Sequence, residues 1–187
     1  MPKQKPGRSK QDYSTPENLV RAILKRLDIP TFQHDFAADK TNAVTVRFGT
    51  SAQQVAARLG HGAFWTEQDD SLSKKAVWWA RACKGGWGWL NPPFANIGVW
   101  AKQCLQAMKN GAHIAFLVPA SVGSNWYRDY THQQPGVTVL FLNGRPSFDG
   151  VAGFPKDCML VLFQGGRRDG ELRPFSSEVW TWKETTE

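Results

Sequence analysis

Asn91, Pro92, Pro93 and Phe94 stand in a row directly after the short apolar run Trp87 to Leu90. An exocyclic amine on a nucleobase is a poor nucleophile, because its lone pair is delocalised into the ring. A side-chain amide oxygen (Asn91) and a backbone carbonyl (Pro92) can each accept one of the amine's hydrogens. Held in this way, the nitrogen is drawn toward tetrahedral geometry and its lone pair aims at an electrophilic carbon. Two prolines stiffen such a loop and remove backbone donors that would compete for the two acceptors. Phe94 offers a flat face on which a base can stack, worth about 1–3 kcal/mol per base. Taken alone, the four residues also fit a plain proline-rich turn with a buried Phe.

A tetrad of this kind needs a strand to present it and a helix to back it. Residues 87–90 read as a short apolar strand, and 97–108 as a helix with Ile97, Trp100, Ala101, Cys104, Leu105 and Met108 inward, closed by Asn110 and Gly111. Residues 113–118 form a nearly continuous apolar run, the pattern of a strand buried on both faces of a parallel sheet. A short helix over 125–130, strands over 137–142 and 158–163, and an edge strand over 179–182 follow. Upstream, Ser14, Thr15, Pro16 and Glu17 combine a capping hydroxyl, a first-turn proline and a glutamate three residues after Ser14. The stripe of Leu19, Val20, Ile23, Leu24 and Leu27 then predicts a helix ended by Pro30. A strand over 31–38 runs into Asp35 to Asp39. Residues 51–59 have weak helical spacing with Val55, Ala56 and Leu59 on one side, 63–66 a short strand, and 72–82 a helix. Strands alternating with helices predict an α/β fold with a mostly parallel sheet flanked by helices. Ligands in such sheets sit beyond the carboxyl ends of strands, where the tetrad falls.

The chain has 187 residues, 41% of them apolar and 21% charged, which suits one packed domain over 13–187 preceded by a basic arm over 1–12. No run approaches the roughly 20 apolar residues of a membrane helix, and the basic N-terminus has no apolar stretch behind it, so neither membrane insertion nor secretion is expected. Lys and Arg outnumber Asp and Glu 23 to 16, a net charge of +7 that favours an anionic partner, nucleic acid first, or simply a soluble surface. Cys83, Cys104 and Cys158 form no CxxC pair, and His34, His61, His113 and His132 never pair at i, i+4. No disulfide framework and no metal site are expected, and a reducing cytoplasm fits. Among nine tryptophans, Trp78, Trp79 and Trp100 have core spacing, whereas Trp126 and Tyr127 either pack in the core or border a base pocket. Arg145, in a loop with Gly144 and Pro146, either contacts phosphate or a base edge or is solvated. Arg167 and Arg168 read as surface charge.

In order along the chain, Tyr13-Ser14-Thr15-Pro16, Asp35-Phe36-Ala37-Ala38-Asp39, Thr66 to Leu72 and Leu90-Asn91-Pro92-Pro93-Phe94 resemble the phage-type DNA N6-adenine methyltransferases, the Dam-like family. Leu117 to Ala120, Gly144-Arg145 with Phe148, and Met159 to Val161 match as well. The resemblance implies a Rossmann-like fold dependent on S-adenosylmethionine, with that molecule as methyl donor, no metal, and DNA as partner. It implies a donor site formed by Tyr13, Thr15, Pro16, Asp35, Ala37, Asp70 and Asn91. Thr15 and Pro16 would lie near the donor's carboxylate and Asp35 near its amino group. Asp70 would lie near its adenine or ribose, with Asp69 a competitor for that role and Asp39 a weaker candidate. Asn91, Pro92, Pro93 and Phe94 would be catalytic, and Phe94, Trp126 and Arg145 would meet the substrate. Residues 35–39 lack the glycine-rich turn of many Rossmann methyltransferases, and residues 53–62 read as an inserted helix. The same tetrad also serves methylation of RNA adenine or of protein glutamine, and a catalytically inactive DNA-binding scaffold is a further alternative. A nucleotide-dependent oxidoreductase is disfavoured, because no GxGxxG follows the first strand.

Overall fold

The computed structural model describes residues 14–38, 42–58, 63–148, 156–166 and 171–183. The basic arm, Tyr13, Asp39, Leu59, Arg167 and Arg168 lie outside them. Six strands build one sheet: β1 (His34–Asp35), β2 (Trp87–Leu90), β3 (His113–Pro119), β4 (Val137–Asn143), β5 (Cys158–Gln164) and β6 (Ser176–Thr181). Their order across the sheet is β1-β2-β3-β5-β4-β6. The β1–β2, β2–β3 and β4–β6 pairs are parallel, and β5 runs antiparallel to both of its neighbours. The sheet is therefore mostly parallel, as expected, with one reversed strand at its centre that the residue pattern did not signal.

Both faces of the sheet are covered, which is why its strands read as continuous apolar runs. Alternate residues divide between two cores. Leu90, Ile114, Phe116, Val118, Val139, Met159 and Val161 pack beneath α4 (Ala76–Cys83), α5 (Ile97–Lys109) and α6 (Asn125–Tyr130). Trp89, Ala115, Leu117, Leu140, Leu160 and Leu162 face α1 (Glu17–Leu27), which contributes Leu19, Val20 and Ile23. Two further helices, α2 (Val44–Arg47) and α3 (Ser51–Arg58), occupy the stretch after β1.

Several expectations change. The first strand shrinks from 31–38 to two residues, and the expected strand over 63–66 reduces to a single bridge from Phe64 to Asp35. Pro16, not Ser14, stands at the N-cap of α1, where no side chain caps the helix, and the helix ends at Asp28 in the left-handed region. The helix over 72–82 is broken: a 3-10 turn (Ser71–Ser73) precedes α4, and Lys74 and Lys75 lie between them. Val55 is 53% exposed, so the stripe on α3 does not point inward. Trp78 is 51% exposed whereas Trp79 is fully buried. Adjacent helical residues diverge by about 100°, so only one of the two can occupy the buried face, and Trp79 shares it with Cys83 at i+4.

Around β1 the packing is aromatic. The Phe36 ring stacks on Trp79 at 4.1 Å between centroids and 11° between planes. It also lies across Gly88 of β2, where an added Cβ would come within 2.3 Å of the Phe36 ring. Gly88 is thus the vacancy that admits Phe36. Replacing Trp79 with Ala is expected to cost about 3–5 kcal/mol, measured as a lower urea midpoint at unchanged slope.

Candidate functional site

β1 has a partner on each edge: Asp35 pairs with Trp89 of β2 on one side and bridges Phe64 on the other. The chain leaves β1 outward, reaches Phe64, and returns to β2 across β1. That reversal is a topological switch point, and in open α/β sheets ligands sit beyond the carboxyl ends of the strands at such a point. Asn91 lies one residue past β2, level with Ala37 by the register of the pair.

The tetrad is rigidly held. Pro92 is buried, Pro93 is exposed and extended (φ −54°, ψ 130°), and a 3-10 turn (Phe94–Asn96) leads directly into α5. Phe94 is half-buried against the α4/α5 core. Asn91 Nδ2 donates to Thr15 Oγ1 at 3.1 Å, which orients the amide. Its Oδ1 is buried and has no hydrogen-bond partner among the described residues. A buried, unsatisfied acceptor is costly and rare in native proteins, and this one belongs to the side chain whose oxygen the chemistry requires. Thr15 is itself fixed, since it is buried and Arg47 Nη1 donates to its carbonyl oxygen at 3.1 Å. Pro16 follows it at the start of α1.

Asp35 is 3% exposed. Its Oδ2 accepts the Val44 N–H at 2.9 Å and its Oδ1 the Ala37 N–H at 3.3 Å. The carboxylate thereby closes the loop that lacks a glycine-rich turn, and Ala37 is half-buried at its entry. Asp69 and Asp70 separate clearly. Asp69 Oδ2 accepts from the Thr66 N–H at 2.8 Å and the Thr66 hydroxyl at 2.9 Å, and these bonds hold its carboxyl below the usual range. Asp70 is exposed at φ 45°, ψ 75°, with no side-chain partner among the described residues. The Ser71 hydroxyl donates to the Phe36 carbonyl, so Asp70 is tethered at the end of β1. Of the two, Asp70 is the one whose carboxylate takes no part in capping the turn.

Thr15, Pro16, Asp35, Ala37, Asp70 and the tetrad thus converge on one edge of the sheet. Trp126 is half-buried on α6, edge-on to Phe116 at 6.4 Å, and its Cβ lies 3.4 Å from where a Cβ on Gly98 would be. It borders α5 behind the tetrad, and Tyr127 is 8% exposed in the core. Arg145 is exposed and paired with Asp157 at 2.8 Å, at the far end of the same edge. Of the two residues that anchor the site from behind, Ser71 lies inside the Thr66 to Leu72 segment without a signal of its own, and Arg47 carries no motif signal in the sequence. Among the described residues no group of three or more His, Cys, Asp or Glu side chains could hold a metal, and no helix is long and apolar enough to cross a membrane. The three cysteines are free and buried, and burial pushes the Cys83 and Cys158 thiols up to about 12.

His34, next to Asp35, is 8% exposed, and its Nε2 is buried without a partner among the described residues. It packs on Phe36 at 5.0 Å and Trp65 at 4.5 Å. Burial, helped by the charge of Lys84 and opposed by Asp69, lowers its pKa from 6.5 to about 4. Above pH 6.5 the imidazole is neutral in both folded and unfolded states; as pH falls from 6.5 toward about 4, the unfolded chain binds a proton that the native state refuses. Stability is therefore full above that window and declines through it, by up to about 3 kcal/mol. His34→Gln is expected to flatten this acid slope in denaturation curves recorded from about pH 7 down to about pH 4.

No curated protein matches the chain. Among solved structures, a predicted O-methyltransferase from Agrobacterium tumefaciens aligns with 14% identity and a TM-score of 0.40, over 88% of this chain and 85% of that one. The model of the family described as DNA N-6-adenine-methyltransferase (Dam) matches residues 60–160, more than half of the chain and the part that includes Asp70 and the whole tetrad. The chain belongs to the DNA N-6-adenine-methyltransferase (Dam) family.

Proposed function

We propose that the protein transfers a methyl group from S-adenosylmethionine to N6 of an adenine in DNA. The observation that carries this reading is the buried Oδ1 of Asn91, an acceptor with no donor among the described residues, at the switch point of the sheet. An exocyclic amine supplies the missing donor. The second hydrogen of that amine goes to the Pro92 carbonyl, and Phe94 lies against the base. A duplex hides this geometry, so the target adenine has to leave the stack.

The residues present suit the methyl donor, which is cationic at its amino group and its sulfonium. Asp35 offers a buried carboxylate at the end of β1, and Asp70 an exposed carboxylate beside it. Thr15, Pro16, Ala37 and Asn91 complete the wall between them, and Tyr13 immediately precedes this segment. When bound, the donor supplies an electrophilic methyl carbon. Asn91 and Pro92 orient the lone pair of the amine toward that carbon, and as neutral acceptors they take no proton. The proton is lost to water once the nitrogen has been methylated, so no strong base is needed. The net charge of +7, including the basic arm over 1–12, attracts DNA phosphate and makes affinity salt-dependent. Arg145 and Trp126, on the same edge, are the proposed contacts to the substrate around the flipped base. The reading sets a single domain over 13–187 to work in the cytoplasm, where DNA and donor meet.

Asn91→Ala is expected to lower radiolabelled methyl transfer to unmethylated DNA by about 100-fold or more, the scale of removing one preorganised polar group. A variant with full activity rejects the role. An acceptor panel of DNA, RNA and glutamine peptides, assayed alongside, is expected to give incorporation in DNA. A separate expectation concerns Thr15, which acts through Asn91. Thr15→Val removes the hydroxyl that orients the amide and is expected to lower kcat about 3- to 10-fold, with Thr15→Ser restoring it. Equal loss in the Ser and Val variants contradicts an orienting role.

A further inference from the structure

Beside the turn that carries Asp70 is an open groove of about 490 Å3 lined by Trp65, Ser73, Lys74, Lys75 and Trp78. No acidic side chain is among its lining residues. Lys74 Nζ lies 5.3 Å from the Trp65 ring centroid, and the Arg81 guanidinium lies 4.8 Å from that of Trp78. The fold does not need Trp78 for packing: Trp79 fills the core, while Trp78 is left 51% exposed. The backbone beneath is nonetheless pinned at three points. The Ser71 hydroxyl donates to the Phe36 carbonyl, Trp79 Nε1 to the Ser71 carbonyl at 3.0 Å, and the buried Gln103 Nε2 to the Lys74 carbonyl at 2.8 Å. Two lysines and a half-exposed indole are thus carried on a backbone that is fixed from beneath.

Exposed aromatics interleaved with Lys and Arg are what single-stranded nucleic acid requires. The aromatic face takes any base and the cations take the phosphates. We infer that this groove holds an unpaired nucleotide of the DNA substrate, with its base against Trp78 and its phosphate at Lys74 and Lys75. The inference rests on the DNA reading above and adds to it a second contact. The Ser71–Ser73 turn is tied to Phe36 at the end of β1, so the groove shares the edge of the sheet on which Asn91 stands. A strand opened to release one base can extend across it. The groove would favour DNA that is single-stranded or locally melted over intact duplex.

The test is fluorescence anisotropy of the full chain with a labelled oligothymidylate and with a duplex of equal length, for wild type, Trp78→Ala, Trp78→Phe, Lys74→Ala/Lys75→Ala and Gln106→Ala. Thermal melts confirm that each variant is folded. Trp78→Ala is expected to weaken single-strand binding on the order of ten-fold, with Trp78→Phe retaining most of the affinity. The double lysine variant is expected to lower the slope of log affinity against log salt by about 1.4. Gln106→Ala, exposed on α5 and outside both the groove and the tetrad, is expected to bind like wild type. Wild-type affinity in both Trp78→Ala and the lysine variant overturns the groove while leaving the assignment of Asn91 intact. Failure of the wild-type chain to bind either oligonucleotide removes the DNA reading, and the groove with it.

Discussion

One hydrogen bond decides what this site can do: Asn91 Nδ2 gives its proton to Thr15 Oγ1. A free amide side chain can present either its oxygen or its nitrogen to a ligand. Committing the nitrogen to Thr15 leaves the oxygen as the end presented to a ligand. Preorganisation of this type avoids reorienting dipoles during the reaction, which is the main source of electrostatic catalysis. The surrounding structure serves that bond. Arg47 fixes the Thr15 backbone, the two prolines fix the backbone of the tetrad, and α5 begins as soon as the tetrad ends. The segment before α1 and the residue after β2 lie 76 positions apart in sequence, yet this bond joins them.

How far the sequence revealed this arrangement differed by element. The strand over 87–90 and the helix over 125–130 agree with the structure at both ends: the apolar strand stops at Asn91-Pro92, and the Ser124 side chain caps the helix by accepting from the Tyr127 N–H. The first strand was overread at 31–38. Phe32 and Phe36 do alternate with polar residues, but strand length is set by ladder partners, and only His34 and Asp35 pair with β2. The reversed direction of β5 was invisible for a related reason: a strand buried on both faces carries the same pattern whichever way it runs. Ser14 looked like a helix cap, whereas Pro16 takes that position and the neighbouring Thr15 hydroxyl is claimed by Asn91. The choice between Asp69 and Asp70 depends on which carboxylate the Thr66 cap consumes. The tetrad itself was legible, since its chemistry is written in four consecutive residues.

Aromatic residues do two different jobs within a few residues of each other. Phe36, Trp65 and Trp79 form a packed cluster with His34 that supports the end of β1, and Gly88 leaves the room it needs. Trp78, one position away from Trp79, is turned out to solvent among cations. The same residue type is structural where it is buried against its own kind and available to a partner where a helix rotates it outward. Composition alone cannot separate these roles, and the pitch of α4 does.

Asp35 fastens the turn at the end of β1 from a buried position. Loops of this position in related architectures are usually folded by glycine, whose backbone freedom leaves neighbouring side chains unconstrained. Here the fastening is done by two carboxylate oxygens. Any redesign that exchanges the acid therefore meets an obstacle at this residue. Asparagine keeps one of the two oxygens, glutamate keeps both but on a longer arm, and every uncharged aliphatic choice leaves two amides stranded. Retooling would have to begin by rebuilding the turn from glycine, and only then could the acid be exchanged.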